Sequence, residues 1–234
     1  MTDNTFAIIF DLDGVLLDSE SDMTWMKQAL IDTLQKFNIE TTEENISMLD
    51  GKNLSKFPEI ASYFQVDVKE LWRIRNYYYT KRKREAINSD QIQPFPDVKS
   101  ISSFPKTTER AILSNSPQEV VDDFLIHFNL KHMFTTGVGR SAKYEDIFRL
   151  KPHPLLWKKL APNLSANTFC YIGDRVSDKI FAEKMKMKFF GLNRYDHVFS
   201  DGYSSLYEII TVIQKIITKN QKSESSSKST ESED

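Results

Sequence analysis

The chain has very little cysteine, and its single one, Cys170, excludes a disulfide within the chain. A composition so poor in cysteine is typical of reducing compartments. Long hydrophobic runs are also lacking, so the sequence predicts no membrane-spanning helix. The first five residues contain no Lys or Arg and so lack the basic segment that begins a signal peptide. We therefore expect a cytoplasmic protein without a membrane partner.

An excess of charge of one sign is lacking as well. The 31 Lys and Arg residues nearly balance the 33 Asp and Glu residues, for a net charge of -2. This balance gives no overall attraction to nucleic acid or to a membrane surface. The sequence does have 40% hydrophobic and 12% aromatic residues in a length of 234. That is enough to bury a substantial core, in one large domain or two small ones.

Apolar segments that predict β-strands alternate with segments of helical periodicity. The strand candidates are 6–10, 110–114, 168–172 and 187–192, with a further short one near 133–136, and the helical patterns include 117–127 and 175–186. Alternation of this kind predicts an α/β fold, with a doubly wound parallel sheet and right-handed crossovers.

The interval between the first two strand candidates is too long for a plain crossover. Residues 19–92 carry apolar residues at helical spacing and no strand candidate, which predicts an α-helical cap domain inserted above the sheet. The core domain then comprises residues 1–18 and 93–218. Across residues 219–234, Ser, Glu and Lys replace almost every apolar residue, and we expect a disordered tail.

The most informative motif follows the first strand candidate. Asp11 and Asp13 come directly after the apolar segment 6–10 and precede Gly14, which favours a turn. Side chains two residues apart on an extended chain point the same way, so both carboxylates can share a space beyond the carboxyl end of the strand. Two carboxylates so close need a cation or a shared proton. This pattern suits phosphoryl transfer, with one Asp as nucleophile, a divalent metal, and the other Asp handling the proton.

Three later motifs supply the remaining groups that such a site needs. Ser114 and Asn115 follow the second strand candidate, where a hydroxyl and backbone N–H groups can bind phosphate oxygens. Lys151 begins the segment Lys-Pro-His-Pro and provides a compact positive charge. Asp174 and Asp178 follow the strand candidate 168–172 and offer the oxygen ligands that Mg²⁺ prefers.

In strand-ending order and at compatible spacings, these four motifs resemble those of the haloacid dehalogenase superfamily of phosphohydrolases. The resemblance covers roughly residues 6 to 215. It is strongest to the branch with a helical cap between the first two motifs, which includes phosphoglycolate phosphatases and β-phosphoglucomutases.

The resemblance implies a role for each motif residue. Asp11 is the nucleophile, and Asp13 is the general acid and then the general base, with its main-chain carbonyl on the metal. Ser114 and Asn115 hold the transferring phosphoryl group. Lys151 neutralises charge on the nucleophile and the phosphate.

The resemblance also implies a Mg²⁺ site formed by Asp11, Asp13, Asp174 and Asp178. Asp174 ligates the ion directly, and Asp178 acts through a bound water or by orienting a ligand. Dehalogenases of the superfamily lack an acid two residues after the nucleophile, so Asp13 favours phosphate-ester chemistry.

Other basic residues are less clearly assigned. Lys52, between predicted cap helices, is the candidate substrate contact of the cap. The segment 72–84 combines basic and aromatic side chains, which suggests either nucleic-acid binding or a cap helix with a solvated basic face. We favour the helix and expect no nucleic-acid partner. Arg175 is expected to contact the phosphate or to pair with a neighbouring acid, and the loop 139–144 is more basic than the resemblance leads us to expect.

The sequence thus predicts a Mg²⁺-dependent phosphatase, a monomer or homodimer, that acts on a small phosphorylated metabolite such as phosphoglycolate or a sugar phosphate. An aspartyl-phosphate is the expected intermediate. Two alternatives stay open: a β-phosphoglucomutase-like phosphomutase, and a non-catalytic protein that binds phosphorylated metabolites. The acid at position 13 argues against the second alternative, because a binding protein has no need of it.

Overall fold

The computed structural model describes residues 5–230, with side chains described as far as residue 220. The strands in these residues are β1 (Phe6–Phe10), β2 (Leu17–Asp18), β3 (Gln93–Pro94), β4 (Glu109–Pro117), β5 (Thr136–Arg140), β6 (Thr168–Gly173) and β7 (Lys188–Gly191). The α-helices in the same residues are α1 (Thr24–Lys36), α2 (Glu43–Met48), α3 (Phe57–Tyr63), α4 (Val68–Asn88), α5 (Gln118–His127), α6 (Leu155–Leu160), α7 (Val176–Lys184) and α8 (Leu206–Thr230). Short 3₁₀ segments connect several of them.

Five strands form a parallel sheet in the order β5-β4-β1-β6-β7. In the centre, Ile9 of β1 lies opposite Ala111 of β4 and Tyr171 of β6. All five residues of β1 are buried, as expected for a central parallel strand with both faces covered. The predicted α/β fold with a doubly wound parallel sheet is confirmed. The short strand expected near 133–136 lies slightly later, at Thr136–Arg140.

Helices cover both faces of this sheet because successive side chains of a strand point to opposite sides. Ile8 and Phe10 belong to the larger buried cluster, together with residues of α5 and α8. Ile9 belongs to a smaller cluster with residues of α6 and α7. The larger cluster continues into the helical insertion through residues such as Leu71 and Trp72 of α4.

The insertion, α1 to α4, is the cap. The chain enters and leaves it through β2 and β3, which pair antiparallel, so both ends of the insertion lie side by side. Within the cap, α1 packs along α4, and the rings of Trp25 and Tyr79 meet edge to face with centroids 5.3 Å apart. Thr42 and Asp67 cap the first turns of α2 and α4 by accepting hydrogen bonds from backbone N–H groups.

Helix α4 contains the basic segment 72–84. We expected the charged side chains of this segment to face solvent, but only some of them do. Arg73 and Arg84 are exposed and pair with Glu70 and Asp123, respectively. Arg75 and Lys83, in contrast, are buried. The sequence interpretation was wrong for Arg75 and Lys83. Helical spacing shows which side chains share a face of a helix, but it does not show which part of the protein packs against that face.

The C-terminal segment also differs from the sequence prediction. Helix α8 continues to Thr230, so residues 219–230 of the expected disordered tail are helical, and residues 231–234 lie outside the described part of the chain. Ile209, Ile213 and Ile217 are buried and anchor the first half of the helix. No Gly or Pro follows within α8, so nothing in the backbone forces it to end earlier. No helix in residues 5–230 is long and apolar enough to cross a membrane.

A buried ion pair fastens α8 to the core. Asp97 lies in a 3₁₀ segment, and its Oδ1 and Oδ2 accept hydrogen bonds from Arg194 Nη2 and Nη1 at 2.7 and 2.9 Å. Asp97 Oδ2 also accepts a hydrogen bond from the backbone N–H of Leu206, the first residue of α8, at 2.8 Å. Arg194 in turn donates to the carbonyl of Val15 at 3.1 Å, next to the first acidic motif.

We predict that Asp97→Ala lowers the free energy of unfolding by about 3–5 kcal/mol, because Arg194 then stays buried without its counter-charge. Urea denaturation measures the change. As a control, Lys27→Ala breaks the exposed ion pair with Glu43 and should cost less than about 1 kcal/mol. Equal losses for the two variants would contradict the assigned role of Asp97.

Candidate active site

The motif residues meet at the carboxyl edge of the parallel sheet. Asp11 follows β1, Ser114 lies in the last part of β4, and Asp174 follows β6. The pairing of β1 with β6 continues beyond the strand, since the backbone N–H of Asp11 donates to the carbonyl of Ile172 at 3.0 Å. Neighbouring parallel strands end on the same side, so residues far apart in the sequence come together there.

Three buried carboxylates form the centre of this site. Asp11, Asp174 and Asp178 each offer an oxygen, and these oxygens lie within 4.8 Å of one another. Lys151 Nζ lies 2.9 Å from Asp11 Oδ2 and 2.7 Å from Asp178 Oδ1. It also donates to the hydroxyl of Tyr171 at 2.8 Å. One ammonium group therefore faces three carboxylates, which leaves an excess of negative charge in a buried space.

The excess charge perturbs two of the acids. Burial, together with the charges of Asp178 and Asp13 and against the attraction of Lys151, raises the pKa of Asp11 from 3.8 to about 6. Burial, then the charges of Asp11 and Asp178, raises the pKa of Asp174 from 3.8 to about 8. Both directions follow from placing like charges close together away from water.

The cluster fits a divalent cation. Asp174 Oδ1 is buried and has no hydrogen-bond partner among the described residues. Gly14 leaves room for this carboxylate: its φ is +73°, and a Cβ there would lie 2.2 Å from Asp174 Oδ2. Carboxylate oxygens are the preferred ligands of hard divalent ions. Asp11 and Asp174 are the residues that would hold the ion, with Asp178 beside them.

Asp13 lies apart from this cluster and has its own partners. Its Oδ2 accepts a hydrogen bond from Ser116 Oγ at 2.6 Å, and its Oδ1 accepts one from Ser19 Oγ at 2.7 Å. The ammonium of Lys83, reaching down from α4, pairs with the same carboxylate. Burial acts to raise the pKa of Asp13, but the charge of Lys83 and the hydrogen bonds hold it below its ordinary value. Near pH 6, at which Asp11 is partly protonated, Asp13 is therefore ionised.

Sequence reasoning missed Lys83, Ser116, Ser19 and Tyr171. Lys83 carried one available signal, because it belongs to the basic segment 72–84, but nothing in the order of residues connects it with Asp13, 70 positions earlier. Ser116 follows Ser114 by two residues on an extended strand and so shares its side, which was a signal that could have been used.

The predicted phosphate-binding residues also lie at this edge. Ser114 is buried, and its Oγ accepts a hydrogen bond from the backbone N–H of Ser116 at 3.1 Å. Asn115 Oδ1 accepts a hydrogen bond from the backbone N–H of Lys151 at 2.9 Å, so Asn115 positions the lysine loop. Both line a cavity of about 500 Å³ that also contains Asp11 and Asp13.

Lys52 and Arg175 line the same cavity from other directions. Lys52 is exposed, and its backbone N–H donates to Asp50 Oδ1 at 2.9 Å. Arg175 pairs with Glu20 and lies 3.8 Å from Asp174 Oδ2, which matches the expectation of pairing with a neighbouring acid.

A family model described as haloacid dehalogenase-like hydrolase matches residues 8–192, which include Asp11, Lys151 and Asp178. No curated protein matches the chain.

Several solved structures share the fold. A predicted phosphoglycolate phosphatase from Haemophilus somnus superposes with a TM-score of 0.65 at 18% identity, covering 91% of this chain and 99% of that one. A HAD phosphatase from Thermococcus onnurineus gives 0.63 at 18% identity, with 89% and 97% covered. A candidate beta-phosphoglucomutase from Thermotoga maritima gives 0.59 at 17% identity, with 90% and 99% covered. At these identities the likeness concerns the fold alone.

The raised pKa values predict how stability depends on pH. Between about pH 4 and 8, the folded metal-free protein binds more protons at Asp11 and Asp174 than the unfolded chain, so its stability falls as the pH rises. Asp174→Asn removes one crowded charge. The metal-free variant should therefore melt above the metal-free wild type at pH 8, by roughly 2–4 °C for each kcal/mol, with a smaller difference at pH 5.

Calorimetry with EDTA or Mg²⁺ at both pH values measures this effect. Mg²⁺ should raise the Tm of the wild type at pH 8 and have little effect on Asp174→Asn. Asp201→Asn, at an exposed position, should behave as the wild type. A full Mg²⁺-induced rise in Asp174→Asn would exclude Asp174 as a ligand.

Proposed function

The chain belongs to the haloacid dehalogenase-like hydrolases, and we propose that it hydrolyses a small phosphate monoester, with Mg²⁺, through an aspartyl-phosphate on Asp11. One observation carries this proposal. Asp11 and Asp13 line the same cavity, yet Asp11 lies against Lys151 in the carboxylate cluster that fits a divalent cation, whereas Asp13 is bonded to Ser116 and Lys83. Such a division is the mark of two acids with different tasks.

Asp11 is the nucleophile. Its Oδ forms a bond to phosphorus while the bond from phosphorus to the leaving oxygen breaks. Lys151, 2.9 Å from Asp11 Oδ2, offsets the charge of the carboxylate and of the arriving phosphoryl group. Asp178 and Tyr171 hold the ammonium in position through contacts of 2.7 and 2.8 Å. Ser114 and Asn115 contact the phosphoryl oxygens from the end of β4, and Lys52 contacts the rest of the substrate.

The metal would add to this charge compensation. Asp11 and Asp174, with Asp178 beside them, would hold a Mg²⁺ ion, which would supply positive charge to offset that of the phosphoryl group. The orphaned Oδ1 of Asp174 supports this assignment.

The ion pair of Asp13 and Lys83 handles the proton. In the first half-reaction the pair gives a proton to the leaving oxygen, taken from the Lys83 ammonium and passed on through the ionised Asp13 carboxylate. In the second it takes a proton from the water that attacks phosphorus, which breaks the bond to Asp11 and releases inorganic phosphate. The low pKa of Asp13 supports its role as the base, because the group is already ionised when water attacks.

We predict that Asp11→Asn lowers kcat on an aryl phosphate by at least about 10³-fold, because the amide is a poor nucleophile. Release of the aryl alcohol with Mg²⁺ measures the rate, and free phosphate should appear in equal amount. Asp201→Asn is the matched control and should keep wild-type activity. Activity that survives in Asp11→Asn would remove the nucleophile from this residue.

We also predict that Lys83→Met moves the acid limb of the kcat profile, which includes the second half-reaction, to higher pH, by about one unit or more. Without the ammonium, the pKa of Asp13 rises, and its ionised form is lost earlier on acidification. Because half of the proton-handling pair is gone, kcat should also fall by about 10²-fold.

Lys81→Met provides the control for Lys83→Met. Lys81 lies on the same helix, is 43% exposed, and faces Glu85 at 4.0 Å, outside the cavity. Its profile should match that of the wild type. An unshifted acid limb in Lys83→Met would show that Lys83 does not set the protonation of Asp13.

A further inference from the structure

Two buried arginines in the cavity wall have no acidic partner. Arg75 of α4 is 2% exposed and Arg140 at the end of β5 is 5% exposed, and both line the cavity that contains Asp11. Neither forms an ion pair within the described part of the chain. The other buried or nearly buried cations, Lys83, Lys151 and Arg194, each pair with a carboxylate. The two arginines are therefore exceptions in this protein.

Much of their hydrogen-bonding capacity is unused. Arg75 Nε donates to the carbonyl of Leu49 at 2.8 Å, and Arg140 Nη1 donates to Asn76 Oδ1 at 2.5 Å and to the carbonyl of Ser141 at 3.2 Å. Both Nη groups of Arg75, and the Nε and Nη2 of Arg140, have no acceptor among the described residues. A guanidinium offers five N–H donors in a fixed plane, so each arginine keeps a fork that can bind an anion.

The two guanidinium groups lie against the same pair of aromatic rings. The Cζ of Arg75 lies 5.8 Å from the ring centre of Trp72 and 5.7 Å from that of Tyr79. The Cζ of Arg140 lies 5.0 and 5.8 Å from the same two rings. Both cations are thus held around the same two aromatic rings.

Burying these two like charges costs free energy. Burial lowers the pKa of both arginines to about 10, and the charge of Arg75 contributes to the lowering for Arg140. Both remain charged at neutral pH. Asp50 lies near enough to favour the charge of Arg75, but its Oδ1 accepts a hydrogen bond from the backbone of Lys52 and the two side chains form no ion pair. Buried like charges without a counter-ion are retained where a ligand supplies one.

We propose that Arg75 and Arg140 bind a second anionic group of the substrate, a carboxylate or a second phosphate, while the scissile phosphate lies at Asp11. The proposal rests on the proposed function, since it describes the rest of the same substrate. The substrate class is thereby narrowed to small phosphate monoesters that carry another oxyanion. Arg75 belongs to the cap and Arg140 to the core, so such a substrate would bind across both.

Binding of matched pairs of phosphate esters tests this. The first pair, 3-phosphoglycerate and glycerol 3-phosphate, differs by a carboxylate. The second, fructose 1,6-bisphosphate and fructose 6-phosphate, differs by a phosphate. Kd values are measured by calorimetry on Asp11→Asn protein with Mg²⁺, so that no turnover is needed. The doubly anionic member of at least one pair should bind roughly 10- to 100-fold more tightly, and the pair that responds identifies the anion.

Variants in the Asp11→Asn background assign the preference to the arginines. Arg75→Met and Arg140→Met should each reduce it to about twofold or less. Arg73→Met is the matched control, because Arg73 lies on the same helix, is 64% exposed and pairs with Glu70. It should leave the preference intact. Equal binding within both pairs, or a preference that survives both Arg→Met changes, would overturn the proposal.

A measurement without these variants covers the case in which they fail to fold. Phenylglyoxal modifies accessible arginines, and the preferred ester should protect Arg75 and Arg140 when peptides are mapped by mass spectrometry. The other member of the pair, which lacks the second anionic group, should protect these arginines less. Equal modification in both samples would also overturn the proposal. Loss of the proposed hydrolysis would appear only in the aryl phosphate assay, so the two failures are distinguishable.

Discussion

The charge balance around Lys151 is the constraint on which the site depends. Its ammonium contacts Asp11 and Asp178, and Asp174 lies within the same cluster without a cation of comparable closeness. The backbone of Lys151 is held by Asn115 and its side chain by Tyr171, so three strand ends converge on this one group. The remaining negative charge is what makes the cluster fit a divalent ion, and it is also why Asp174 favours its protonated form.

A second charge contact links the cap to the core. Lys83 descends from α4 to Asp13, which is also bonded to Ser116 of β4 and Ser19 beyond β2. The position of the cap and the ionisation of Asp13 are therefore coupled, because the low pKa of Asp13 depends on a residue of the cap. A movement that separates α4 from the sheet would change both at once.

The two arginines without ion pairs are a further set of charges to which both the cap and the core contribute. Arg75 comes from the cap and Arg140 from the core, and the rings of Trp72 and Tyr79 lie beside both. Buried positive charge thus comes from three places around one cavity: Lys151 from a core loop, Lys83 from the cap, and the two arginines from both. Only the first of these was assigned from the sequence.

The strands of the sheet and the inserted helices could be predicted from the amino-acid sequence. So could the candidate site residues Asp11, Asp13, Ser114, Lys151 and Asp174. These features are local: a strand shows in a run of apolar residues, and a motif shows in residues next to it. Only the folded structure shows that Lys83 meets Asp13, that Arg75 and Arg140 lie against the same two rings, and that Asp13 stays out of the carboxylate cluster. Those outcomes depend on how α4 is placed against the sheet, and a helix with several basic residues does not reveal which of them its neighbours will bury. The length of α8 was not predicted for a related reason. Composition alone does not show that a helix with a packed first half continues into the polar residues that follow.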